Sequence, residues 1–125
     1  MLENLGPKTI LVVDDEDHVR NITELMLSQF GLEVLTAADG LEAIRRVEEQ
    51  GERIDLVIMD LTMPKMNGER AFREMRRRRP EIRVLLTSGY NESEATSTGE
   101  IGIVGFLQKP FELEDLLNAV QKGLA

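Results

Sequence analysis

Short runs of apolar, mostly β-branched residues recur along this chain, and several stop abruptly at groups that carry chemistry. Thr9–Val13 stops at Asp14 and Asp15, Leu56–Met59 at Asp60, Ile82–Leu86 at Thr87 and Ser88, and Ile103–Leu107 just before Lys109 and Pro110. A run that is apolar on both faces is what a strand buried between two helical layers requires. Glu33–Thr36 reads as a further short strand. Between the runs the apolar spacing turns helical. Val19, Ile22, Met26 and Phe30 predict a helix stopped by Gly31, and Leu41, Ile44 and Val47 a second one. Asp39 with Glu42 predicts a capping box for that second helix; the hairpin alternative for Asp39-Gly40 is disfavoured by the helical spacing after it. A loop with Pro64 and Gly68 leads to a third helix carrying Ala71, Phe72 and Met75. Leu113, Leu116, Leu117, Val120 and Leu124 predict the last.

Strands alternating with helices over the whole length place the chain in the α/β class. Right-handed crossovers favour a flavodoxin-like, doubly wound, five-stranded parallel sheet in the order 2-1-3-4-5, with helices on both faces. The 125 residues suit one domain, expected over residues 8–125 after a tail at 1–7. Between Asn91 and Gly102 only Ala95 is a strong helix former, which predicts a short or frayed helix there.

Composition narrows the function. The chain has no cysteine, which excludes thiol nucleophiles and zinc-thiolate sites and permits a reducing, cytoplasmic setting. With 15 basic and 23 acidic residues its net charge is −8, against nucleic-acid binding through bulk positive charge. No apolar run approaches the ~20 residues that a membrane helix needs, and residues 1–7 do not resemble a signal peptide.

In an open α/β sheet, ligands bind beyond the carboxyl ends of the strands. Topology alone therefore gathers Asp14, Asp15, Asp60, Thr87 and Lys109 at one edge. Carboxylates about 4 Å apart repel by roughly 1–4 kcal/mol per pair, so such a cluster must hold a cation, take up a proton or stay apart. All-oxygen ligation points to Mg²⁺ among cations. Glu16 and Asp17 are read as charges at the start of the first helix, suited to its dipole. A metal, a lysine, a hydroxyl and a spare carboxylate suit phosphoryl transfer, and with no cysteine and one histidine placed on a helix, a carboxylate is left as nucleophile.

These residues closely resemble the receiver domains of two-component response regulators. The matches are Asp14-Asp15, the run Asp60-Leu61-Thr62-Met63-Pro64-Lys65-Met66-Asn67-Gly68, which is similar to the phosphoacceptor motif D-x-x-M-P-x-M-x-G, then Thr87-Ser88-Gly89-Tyr90 and Phe106-Leu107-Gln108-Lys109-Pro110-Phe111. The resemblance implies that Asp60 accepts a phosphoryl group from a phosphohistidine on a sensor histidine kinase or a histidine phosphotransfer protein. Asp15, Asp60 and the Thr62 carbonyl would ligate Mg²⁺, with Asp14 acting through a metal-bound water. Lys109 would pair with the phosphoryl oxygens, Thr87 would bond one of them, and Phe106 would be the switch aromatic that turns inward. It further implies a monomer or weak dimer that touches neither nucleic acid nor membrane. A stand-alone regulator and a receiver of a larger protein, such as a hybrid histidine kinase, fit the sequence equally.

Two rival readings are weaker. Asp15-Glu16-Asp17-His18-Val19 is similar to the nucleophile motif of haloacid dehalogenase-type phosphatases, with Asp15 as nucleophile and Asp17 as acid/base, but Asp60 would then lack a role. Arg76–Arg79 could serve a nucleic-acid module, but four consecutive arginines spread around a helix and complement its C-terminal dipole instead. Met59, Met63 and Met66 are read as core and loop packing.

Overall fold

The computed structural model describes residues 7–63, 66–89 and 102–125. Strands β1 (Thr9–Val13), β2 (Glu33–Ala37), β3 (Leu56–Asp60), β4 (Val84–Ser88) and β5 (Ile103–Gln108) form one parallel sheet in the order β2-β1-β3-β4-β5. The expected flavodoxin-like arrangement is the one observed. Helices α1 (Asp17–Ser28) and α4 (Leu113–Leu124) cover one face, and α2 (Gly40–Gln50) and α3 (Gly68–Arg78) the other. The segment expected to hold a short helix between Asn91 and Gly102 lies almost wholly outside the described residues.

The period of two in each strand divides the core. Leu11, Val13, Val57, Met59, Val84 and Leu86 pack with Ala43, Ile44 and Val47 of α2 and with Ala71, Phe72 and Met75 of α3. Their sequence neighbours Ile10, Val12, Leu56, Ile58 and Leu85 pack with Leu27 of α1 and with Leu116 and Val120 of α4. Both faces of the central strands are thus removed from water, which is why their sequence is apolar without alternation. Met59 and Met63 are buried and Met66 packs against the α2–α3 cluster, as core and loop packing requires.

Three boundaries differ from the sequence pattern. Phe30 lies beyond the end of α1 at Ser28 but still packs on the α1–α4 cluster, so its spacing reports burial and not helix. Gly31 follows with φ +82°, a conformation that side chains resist. The fourth strand begins at Val84, not Ile82, and runs through Thr87 and Ser88. Those two polar residues belong to the buried ladder. At α2, Asp39 accepts from the Glu42 N–H at 2.8 Å, but Glu42 reaches one residue further back, to the Ala38 N–H at 2.6 Å. A reciprocal capping box occurs instead at α4, between Glu112 and Asp115.

The β4–β5 ladder is irregular. Val84 pairs with Ile103 but Leu85 pairs with Gly105, leaving Val104 as an extra residue. Such a bulge reverses the facing of everything after it. Phe106 therefore lies opposite Leu86, on the α2–α3 side, while Leu107 lies opposite Thr87 and packs on the α1–α4 side.

The arginine run at the end of α3 has local partners. Arg76 lies over the Phe72 ring, 5.8 Å from its centre, Arg77 pairs with Glu74, and Arg78 bridges Glu74 and Glu48 of α2. Arg79 donates to the backbone carbonyls of Gly51 and Ile54, on the turn that leads from α2 into β3. Truncating it strands two acceptors at a part-buried site. Arg79→Ala is expected to lower stability by about 2 kcal/mol, the cost of leaving such groups unsatisfied. Urea unfolding checks this: the midpoint should fall with an unchanged slope, and a surface-like loss of under about 0.5 kcal/mol would contradict it.

Candidate functional site

The sheet ladder extends past its own strand ends and fixes the backbone of each polar residue there. The Asp14 N–H donates to the Ala37 carbonyl at 3.1 Å, the Leu61 N–H to the Thr87 carbonyl at 2.7 Å, and the Lys109 N–H to the Ser88 carbonyl at 2.7 Å. Asp60 and Thr87 are direct cross-strand neighbours. Gly68, the first residue of α3, closes the loop after β3 by donating to the Leu61 carbonyl at 2.9 Å. A Cβ at that position would lie 2.9 Å from the Asp60 carbonyl oxygen and 2.8 Å from Leu61 Cα, so no larger residue fits without moving the loop.

One carboxylate oxygen each from Asp14, Asp15 and Asp60 lies within 4.8 Å of the others. Asp14 and Asp60 are 3% and 4% exposed, whereas Asp15 is open to solvent. Lys109 Nζ sits between the two buried acids, 2.7 Å from Asp14 Oδ2 and 3.1 Å from Asp60 Oδ2. The remaining oxygens take backbone donors: Asp60 Oδ1 accepts from the Thr62 N–H at 3.1 Å, and Asp14 Oδ1 from the Glu16 N–H at 2.9 Å. Thr87 is buried beside them. The structure thus brings together Asp14, Asp15, Asp60, Thr62, Thr87 and Lys109. Phe106 is half-buried and lies on the sheet face that α2 and α3 cover. The Lys109–Pro110 peptide is cis.

Burial pushes the Asp60 carboxyl above the usual aspartate range, although Lys109 and the Thr62 N–H both pull it down. Burial opposes the charge on Lys109 as well, but its hydrogen bond to Asp14 and the charge of Asp60 outweigh that and hold its pKa up. One ammonium therefore does not satisfy the pocket. Three carboxylates and one lysine leave 1 − 3 = −2, which a divalent cation with a preference for hard oxygen donors matches. The donor set fits Mg²⁺ on its chemistry.

The two acids expected to cap the first helix differ in their contacts. Glu16 occupies the N-cap of α1 but makes no capping bond; its carboxylate lies 3.6 Å from Lys109 instead, drawn by the charge. Asp17 opens α1 as expected, yet it pairs with Arg20 at 2.5 Å, is 81% exposed and stands outside the acid cluster. The acid/base that a phosphatase built on Asp15 would need is therefore turned away. Arg20, unremarked in the sequence, also donates to the Asp14 carbonyl at 2.8 Å. Its position three residues after Asp17 was the available signal.

Residues 10–121 match the family described as the response regulator receiver domain. The chain belongs to that family. It is 39% identical over 120 residues to the sensor kinase CckA of Brucella abortus, covering 95% of this chain and 13% of that protein. It is also 37% identical over 117 residues to the CAI-1 autoinducer sensor kinase/phosphatase CqsS of Vibrio cholerae, covering 90% and 17%. The chain thus spans less than a fifth of either relative. Among solved structures, the receiver domain of the hybrid histidine kinase CckA superposes with a TM-score of 0.82 at 37% identity, covering 94% of this chain and 99% of that one. Chemotaxis protein CheY4 of Vibrio cholerae superposes at 0.85 with 30% identity, covering 95% and 100%. The chain is thus a receiver domain of two-component signalling. Among the described residues, no helix is long and apolar enough to cross a membrane.

A raised carboxyl pKa means that the folded receiver binds the Asp60 proton more tightly than the unfolded chain does. Stability from this group is then greatest at low pH and is lost as pH rises through the folded pKa. Without divalent cations, Asp60→Asn is expected to melt higher than the parent near pH 7, by a few degrees, with the gain shrinking as the pH is lowered toward the unfolded aspartate range. Thermal melts across pH check this, and a gain equally large at every pH would assign it to something other than the buried charge.

Proposed function

We propose that Asp60 is the phosphoacceptor of this receiver, and that its partner is a phosphohistidine on a sensor histidine kinase or a histidine phosphotransfer protein. The observation that carries the reading is a buried carboxylate, held on one oxygen by a backbone N–H and on the other by Lys109, within 4.8 Å of two more acids. In the transfer, a bond forms between an Asp60 oxygen and phosphorus while the P–N bond of the donor breaks, its electron pair leaving with the imidazole. Lys109, already shared between Asp14 and Asp60, compensates the charge on the transferred oxygens, and the neighbouring Thr87 hydroxyl is within the same pocket to bond one of them. Asp15, Asp60 and the Thr62 carbonyl would hold Mg²⁺ directly and Asp14 through a water; when bound, the ion neutralises charge on the transferring group.

Thr87 and Lys109 prefer one arrangement with the phosphoryl group and another without it, and that difference drives the conformational response. Phe106 carries no hydroxyl, so the burial of its ring supplies the bias. Beside the site, a groove of about 540 Å³ runs between α1 and the segment after β5, lined by Val19, Ile22, Met26, Pro110 and Phe111, with Lys109 at its margin. An apolar helix face of the phosphodonor laid there would bring its imidazole to the pocket mouth. The likeness to segments of CckA and CqsS supports a place beside a histidine kinase, in the cytoplasm. The switched surface then controls a partner or an output domain, with the receiver itself monomeric or weakly dimeric.

Acetyl phosphate with Mg²⁺ tests the assignment. Peptide mapping should find a single acyl phosphate on Asp60, and Asp60→Asn should remove at least nine-tenths of the label. A label on Asp15, or one that survives Asp60→Asn, would overturn it.

A further inference from the structure

Asp15 is the exposed member of the acid cluster, and among the described residues no hydrogen bond or ion pair holds its side chain. Its direction is set by the backbone of the turn it sits on. That turn is restrained at three points: the Asp14 N–H on the Ala37 carbonyl, the Glu16 N–H on Asp14 Oδ1, and Arg20 on the Asp14 carbonyl at 2.8 Å. The first restraint belongs to the sheet and the second to the acid itself. Arg20 is the side chain that α1 sends back to the turn. Its side chain is only 14% exposed, and its second arm reaches Asp17 at 2.5 Å, so the fork spans the junction of β1 and α1.

We infer that Arg20 is a positioning residue, clamping the Asp14 carbonyl so that Asp14 and Asp15 present their carboxylates together to a divalent cation. The inference rests on the cation-binding reading of the cluster. Two effects of Arg20 oppose each other. Its positive charge repels an incoming cation, so removing it would tighten binding if charge decided. Its fork restrains the turn, so removing it would weaken binding if geometry decided. The planar guanidinium serves two fixed acceptors at once, and its charge is already paired with Asp17. Geometry wins.

The experiment is a calorimetric titration of MgCl₂ into the whole chain and into Arg20→Met and Arg20→Lys, each first shown to melt cooperatively well above the assay temperature. Arg20→Met is expected to bind Mg²⁺ about tenfold more weakly, as loss of an outer-shell restraint does. Arg20→Lys should fall between it and the parent, because one ammonium keeps the charge and loses the second arm. Amide exchange at Glu16 should speed up in Arg20→Met while exchange at Met59 stays slow. If Arg20→Met binds Mg²⁺ as tightly as the parent or more so, or if Glu16 exchange is unchanged, the clamp is overturned. Should Arg20→Met fail to fold, Arg20→Lys decides alone: weaker binding supports the clamp, and parental binding overturns it. A parent chain that takes up no Mg²⁺ overturns the cation site itself, and the clamp with it.

Discussion

Two carboxylates that water can scarcely reach share one ammonium group, and much of this molecule is arranged around that shortfall. Asp14 and Asp60 are nearly as buried as the leucines beneath them. Lys109 bonds both, yet burial still holds the Asp60 carboxyl above its ordinary range. A fold chosen only for stability would place apolar groups at such a point, because incompletely compensated charges cost more than they return. The residual negative charge is what a divalent cation can neutralise.

The frame that holds this arrangement is the parallel sheet. Because its strands are apolar on both sides, two helical layers can cover it, and only the strand ends remain for polar groups. Cross-strand hydrogen bonds that reach one residue beyond the strands then fix Asp14, Leu61 and Lys109. Gly68 lets α3 begin directly against the Asp60 backbone. The site is thereby built from positions whose main chain has little freedom, which is the preorganisation that charge-stabilising chemistry needs.

The sheet order, its helical layers and the polar residues at its edge were legible in the sequence because burial on both faces leaves an unbroken apolar run, and such runs end where the buried ladder ends. Strand limits were less legible. Ile82 is buried and reads as strand, but it precedes β4, whereas Thr87 and Ser88 read as a terminus and lie inside it. Hydropathy reports burial, not hydrogen bonding, so it misplaces both. Phe30 misled in the same way. Glu16 and Arg20 could not be assigned from spacing alone. One is drawn to a lysine ninety-three residues later in the chain, and the other grips a backbone carbonyl that no pattern of side chains reveals. Asp17 shows the converse: the motif that resembled a phosphatase site is dismissed by where the carboxylate points.

The extra residue at Val104 has a consequence for how the end of β5 can change over time. Everything downstream of it in β5 is turned over relative to the residues before it, so Phe106 lies on the sheet face that α2 and α3 cover, while Leu107 lies on the face of α1 and α4. Which face of the sheet the ring occupies is therefore decided by a count of residues and not by their kinds. Point substitutions along this strand change the side chain that a given face receives, but only an insertion or deletion can carry that position to the opposite side of the domain.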